Sequence, residues 1–317
     1  MTLSLVLLFA GLAILVYSAN ILVESSSDLA LHSGVSLAVV GAIVVGFGTS
    51  LPELAVSLAS AVRDDMDLAT GNVVGSMVAN LSLVLGGAVL ISQASISTGG
   101  KRLHLPLSLL SVLGFIFFVR GGISRWEGVT MLLLLLISLS LMFKFRTSTD
   151  EELLPTSRRN KLPAIEKYNL AKEIPKLIIA LLGVVAASYC VTEGAMDLAD
   201  RWGVKSGFIG ISLVAVGTSL PELVASTVAA KKGKHGLIVG TVLGSNIFNG
   251  FGIGGFMGII APGESKDGIF LDFLGITLTL AVVALGTLFI FSGRKIVRTE
   301  AGILLAAYVV WMIIVGS

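Results

Sequence analysis

Residues 41–62 read GAIVVGFGTSLPELAVSLASAV, and within this apolar run the hexapeptide GTSLPE (Gly48 to Glu53) sets a carboxylate, two hydroxyls and a proline. The same six residues return as Gly217 to Glu222, inside a second apolar run. An ionised acid at the centre of a bilayer costs about 2.5 to 3.5 kcal/mol or more, so packing alone is a poor reason to keep two of them there. The duplication implies one site assembled from two halves.

The remainder of the chain supplies the membrane. Of 317 residues, 55% are hydrophobic and only 13% charged, too few charges to coat a water-soluble globule. With spans of roughly 17 to 25 residues, the pattern predicts an all-α polytopic membrane protein. Its helices fall near 3–23, 36–62, 68–91, 104–119, 126–145, 174–196, 207–230, 237–260, 270–291 and 300–316, which makes ten, five per half. Positive loops stay cytoplasmic. If the N-terminus lies outside, only Arg63, Arg120, Arg125, Arg201, Lys205 and Lys266 face outward, and every other lysine and arginine faces the cytoplasm. No lysine or arginine precedes Arg63, so the first apolar segment lacks the basic start of a cleaved signal peptide and reads as a retained helix.

The net charge of +2, with basic residues at helix ends, suits anchoring to lipid headgroups and suggests no nucleic-acid partner. A lone Cys190 excludes an internal disulfide and any multi-cysteine metal cluster. His32, His104 and His235 are scattered near the predicted helix ends and carry no motif.

Shifting the sequence by 169 positions lays Glu24–Ile91 on Glu193–Ile260 without a gap. Glu24 falls on Glu193, Asp28 on Asp197, Gly34 on Gly203, Gly41 on Gly210, Gly71 on Gly240, Gly75 on Gly244, Ser76 on Ser245 and Asn80 on Asn249. An odd number of spans per half turns the second half over, giving an inverted-topology repeat whose shared site lies near the midplane. The expected organisation is a first five-helix repeat over 1–145, a cytoplasmic linker over 146–173 and a second, inverted repeat over 174–317. The linker's Asp150, Glu151 and Glu152 read as solvated surface.

Positions four apart share a helix face, so Thr49, Glu53 and Ser57 form one stripe with Ser50 beside it; Thr218, Glu222, Ser226 and Ser219 repeat the pattern. Pro52 and Pro221 have no N–H to donate, which frees the carbonyls of Gly48 and Gly217. The next helix of each half carries GSMVAN (Gly75 to Asn80) or GSNIFN (Gly244 to Asn249), adding Ser76 and Asn80, then Ser245 and Asn249. The glycines around them let helix backbones approach closely. Every candidate ligand is an oxygen, the choice of hard cations such as calcium rather than zinc or copper. Two glutamates match one divalent or two monovalent cations. Glu24, Asp28, Glu193 and Asp197 fall at predicted helix ends, where capping or surface roles are expected.

The paired GTSLPE motifs, each followed by GSxxxN, resemble the alpha repeats of the sodium/calcium exchangers within the cation/calcium exchanger superfamily, over essentially the whole chain. The resemblance implies a ten-helix antiporter, not an enzyme, in which Glu53 and Glu222 bind calcium with Thr49, Thr218 and the backbone carbonyls of Gly46 and Ala215. Sodium would use Ser50, Ser76, Ser219 and Ser245 with the same glutamates, and the first and sixth helices would slide. Many family members carry an aspartate at one of the positions held here by Asn80 and Asn249. The two amides remove a third charge, and protons stay beside sodium as candidate counter-ions. No cofactor or obligatory protein partner is implied beyond the transported ions and the bilayer, and the plain architecture suits a prokaryotic plasma (inner) membrane. A cation channel with a glutamate ring and an intramembrane metalloenzyme are the rival readings. The mirrored halves count against the first, the missing histidine ligands and nucleophile against the second.

Overall fold

A computed structural model of the chain describes residues 1–96, 98–145, 170–201, 214–264, 273–293 and 295–315. The described chain is helical almost throughout: α1 (Thr2–Ser33), α2 (Leu37–Thr49), α3 (Leu51–Val62), α4 (Met66–Ile91), α5 (Gly100–Val119), α6 (Arg125–Lys144), α7 (Leu170–Arg201), α8 (Val214–Thr218), α9 (Leu220–Lys231), α10 (His235–Ile260), α11 (Phe273–Ser292) and α12 (Arg298–Val315). Among the described residues eight helices are long and apolar enough to cross a membrane, and α2 with α3 makes a ninth span bent by 44°. The span expected over 207–230 is described only from Val214, and the expected linker lies outside the described residues up to Leu170, where α7 begins.

Hydropathy marks the lipid-facing lengths but underestimates the helices. α1 runs ten residues beyond the predicted end at 23 because Ser25, Ser26 and Ser27 are buried against protein instead of facing lipid. Its 32 residues reach about 48 Å against a hydrocarbon core of about 30 Å, so α1 tilts or projects beyond the bilayer. Glu24 and Asp197 consequently lie within helices rather than at their ends. Glu24 pairs with Lys232 at 2.6 Å, and Asp197 accepts from Ser4 and from Arg201.

Local signals place the helix ends. Ser36 accepts from the Val39 N–H to open α2, Asp65 from the Leu68 N–H to open α4, and Ser124 with Glu127 forms a capping box on α6. Some of this detail recurs at the 169-residue offset. The turn after α3 passes through Asp64 at φ 64, and the turn after α9 through Gly233 at φ 66, the left-handed conformation that aspartate tolerates and glycine prefers. A π-turn covers Asn80–Val84 in α4, and another covers Phe248–Ile253 in α10.

α4 and α10 are the centre of the molecule. The most apolar stretch of α10 is wholly enclosed and that of α4 is 78% enclosed, whereas that of α5 is 50% enclosed and those of α1, α6, α7, α11 and α12 only 28 to 33%. α1 and α7 pack along each other at close range. A Cβ on Gly11 would meet the Val191 backbone N at 3.2 Å, and one on Gly194 the Ser4 carbonyl at 2.7 Å. Two short clips join the halves: Ala94–Ser95 (β1) pairs antiparallel with Lys295–Ile296 (β2), and Ile123 exchanges both backbone hydrogen bonds with Gly263. Ala94 and Gly263 are themselves 169 positions apart, so the corresponding loop of each half is clipped to the other half.

Candidate functional site

The GTSLPE segments break their helices in the same way. Pro52 and Pro221 occupy the first turn of α3 and α9, where a missing N–H costs nothing, and the preceding serines adopt nearly identical backbones: Ser50 at φ −85, ψ 11 and Ser219 at φ −86, ψ 4. Each glutamate therefore lies in the first turn of its helix, close to a helix N-terminus whose dipole favours negative charge. This differs from the expectation of one continuous stripe, because the bend leaves Thr49 on α2 and Glu53 on α3.

The two motifs meet. Ser50 Oγ donates to Glu222 Oε1 at 2.8 Å, Ser245 Oγ lies 3.5 Å from the same oxygen, and Thr49 is near the Glu222 carboxyl. Glu53 has Ser76 as its neighbour and lies near enough to Glu222 for the two charges to act on one another. Glu53 is 1% and Glu222 0% exposed. The Gly46 carbonyl accepts from Ser245 Oγ at 3.0 Å, which ties α2 to α10 at the site. That contact needs glycine: a Cβ on Gly46 would stand 2.9 Å from the Thr241 carbonyl and 3.0 Å from the Ser245 N.

A second feature marks the cluster. Glu53 Oε2, Glu222 Oε2, Ser76 Oγ, Ser219 Oγ, Asn80 Oδ1 and both amide atoms of Asn249 are buried without a hydrogen-bond partner. Buried polar atoms are nearly always paired, and leaving one unpaired costs about 1 to 3 kcal/mol. The two GTSLPE and two GSxxxN elements thus bury an unusual number of orphaned polar atoms, and their oxygens are of the kind that hard cations take. Among the described residues no three His, Cys, Asp or Glu side chains converge, and the side chains beside the two carboxylates include those of Ser50, Ser245 and Ser76. Thr218 is buried beside Ser219, and Ala215 lies in α8, whose backbone alone is described there.

Other sequence candidates have different duties. Thr49 Oγ1 bonds back to the Val45 carbonyl at 2.8 Å. Ser57 donates to the Ala69 carbonyl and accepts from Asn72, whose amide also reaches the Glu53 carbonyl at 3.1 Å; together they tie α3 to α4. The Gly217 carbonyl, expected to be free for a ligand, accepts from Ser188 Oγ of α7 at 3.0 Å. Asn72, Ser188 and Asn246 were missed in the sequence, each standing opposite a different residue type at the 169-residue offset (Thr241, Ala19 and Met77).

Comparison with known proteins finds similarity over nearly the whole chain. The family model described as sodium/calcium exchanger protein matches residues 3–144 and 174–316. The chain is 34% identical to the inner membrane protein YrbG of Escherichia coli over 83% of its own length and 82% of that protein's. It is 29% identical to the sodium/calcium exchanger MaX1 of Methanosarcina acetivorans over 99% and 98%. Among solved structures, the sodium-calcium exchanger NCX_Mj soaked with 2.5 mM Na+ and 0.1 mM Ca2+ superposes with a TM-score of 0.81 at 28% identity, covering 97% of each chain.

Proposed function

Since the chain belongs to the sodium/calcium exchanger family, we propose that it exchanges calcium for sodium across the membrane by alternating access at a midplane site shared by two repeats. The protein is an integral membrane protein with many helical spans. Ten spans in two inverted halves, 1–145 and 174–317 about a cytoplasmic linker over 146–173, with the N-terminus outside a prokaryotic inner membrane, complete the reading. The observation that carries it is the convergence of Glu53 and Glu222 within a buried set of unpartnered oxygens.

With both glutamates ionised, the empty site would hold two negative charges in a low-dielectric interior. One calcium or two sodium ions cancel them. Isolated buried charge is strongly disfavoured, so the change of face is easy only for the loaded protein, and that restriction couples the two fluxes. Glu53 and Glu222 supply the charge, Ser50, Ser219, Ser76 and Ser245 the hydroxyls, Asn80 and Asn249 the amide oxygens, and Gly46 and Ala215 backbone carbonyls beside Thr49 and Thr218. With amides at both asparagine positions the site holds no third acid, which limits the positive charge it neutralises. The close packing of α1 on α7 through small residues supports these two helices as the sliding element.

Purified protein in liposomes, tested for calcium flux under a sodium gradient and separately under a pH gradient, decides the counter-ion. Sodium-driven uptake is expected, with Glu53→Gln folded and inactive. Uptake driven by pH alone would replace sodium by protons, calcium current without any counter-ion gradient would make the protein a channel, and normal exchange by Glu53→Gln would overturn the site.

A further inference from the structure

We propose that Asn246 is a positioning residue of the cation site, holding the Asn80 amide with its oxygen turned toward the ions. The inference rests on the antiporter reading above and concerns a residue outside the ligand set. Asn246 is fully buried on α10 and bridges to α4. Its Nδ2 donates to the Met77 carbonyl at 3.3 Å, and its Oδ1 accepts from Asn80 Nδ2 at 3.0 Å. Its own carbonyl accepts from Ser111 Oγ at 2.9 Å, which pins that turn of α10 to α5.

The polarity of this chain is set at one end. A backbone carbonyl only accepts, so the Asn246 atom facing Met77 is its NH2 group and the other end is oxygen. That oxygen requires a donor, so Asn80 turns its own NH2 toward Asn246. Asn80 Oδ1 is left as the outward atom, buried and unpartnered, one helical turn from the equally unpartnered Ser76 Oγ beside Glu53. Turned the other way, Asn80 would aim two N–H donors at a cation and set oxygen against oxygen at Asn246.

The second half has no such device. Position 77, which corresponds to Asn246 at the 169-residue offset, is methionine, and both amide atoms of Asn249 are unpartnered. The site therefore pairs one amide oxygen fixed before any ion arrives with a second amide free to rotate, although the sequence presents the two asparagines as equivalents.

The test is a double substitution read as the calcium concentration for half-maximal sodium-driven uptake. With Asn246→Leu, the NH2 of Asn80 loses its acceptor and turns toward the acidic oxygens of the empty site. Only a fraction of the protein then offers the oxygen, and the half-saturating calcium concentration rises about five- to tenfold while the maximal rate changes less. Asn80→Asp makes both terminal atoms oxygen, so orientation loses its meaning and one carboxylate oxygen faces Asn246 Oδ1; adding Asn246→Leu to that background removes this contact and leaves its half-saturation unchanged or lowers it. Equal shifts in both backgrounds would reduce Asn246 to a packing residue and overturn the proposal, as would no shift in either. If Asn246→Leu is not monodisperse after extraction, Asn246→Ser, whose hydroxyl bonds back to its own helix, removes the same bridge and is read the same way. Wild-type protein that moves no calcium under any gradient overturns the antiporter reading and this inference together; a wild type that transports, with the shifts equal, overturns the inference alone.

Discussion

Ser50 hydrogen-bonds Glu222 across 172 positions of sequence, with Oγ 2.8 Å from Oε1, so the hydroxyl of the first GTSLPE serves the acid of the second. The two copies are intertwined, and substitutions in one motif act on the charge held by the other. Hydrogen bonds to charged groups contribute about 1.5 to 3 kcal/mol, and every 1.4 kcal/mol is tenfold in affinity. Ser50→Ala leaves Glu222 Oε1 with Ser245 at 3.5 Å. The expected outcome is a rise of about tenfold or more in the calcium needed for half-maximal flux, with the protein still folded. An unchanged calcium dependence would show that this bond gives way when the ion binds.

Burying two ionised carboxylates within reach of one another destabilises the empty protein. Glu53→Gln and Glu222→Gln should each raise the melting temperature in chelator, because a neutral amide removes the repulsion. Wild type should gain stability on adding calcium, following its occupancy, and the variants should gain little. Thermal unfolding in detergent with and without calcium checks both halves of this statement. Variants that melt lower than wild type in chelator would show that the acids support the empty fold.

Much of the candidate site was legible because membrane burial makes a glutamate so costly that its repetition marks the place. The offset of 169 then brought along Ser76, Ser245, Asn80 and Asn249, four side chains that the folded chain buries together with the acids. What escaped the sequence lies where the halves differ. Asn246, Ser188 and Asn72 each hold a neighbouring helix in only one half, so no repetition marks them. Helical spacing also misled at Thr49 and Glu53, since the bend at Ser50 turns one expected face into two. The length of α1 was missed for a related reason: a hydropathy window reads three serines as the end of a span, whereas Ser25, Ser26 and Ser27 are enclosed by protein.

Two glycine substitutions separate close packing from flexibility. A Cβ on Gly46 meets the backbone of α10 at 2.9 and 3.0 Å, which no rotamer change relieves. Gly46→Ala should cost about 1 to 3 kcal/mol or more and displace the carbonyl bound by Ser245, abolishing transport. Gly302, in the outer helix α12, has nothing within 4 Å of the place a methyl group would occupy, and Gly302→Ala should be neutral or stabilise by up to about 1 kcal/mol. Melting temperatures of the purified pair test the contrast; a Gly46→Ala protein as stable and active as wild type would mean that α2 and α10 are less tightly engaged than the geometry demands.

The clip between β1 and β2 has its own anchor. Lys101, at the start of α5, donates to the Phe291 carbonyl at 3.1 Å and to the Gly293 carbonyl, so a cation caps the C-terminal end of α11, where the helix dipole is negative and carbonyls lack intrahelical partners. The ammonium thereby holds the loop that leads into β2 against the segment that follows β1. Lys101→Met keeps the aliphatic stem and removes the charge, so packing is preserved while the cap is lost. A destabilisation of about 1 kcal/mol is expected, with calcium dependence unchanged because the residue lies outside the ligand set. If Lys101→Met instead alters calcium affinity without altering stability, the clip moves with the transport cycle and is no static brace.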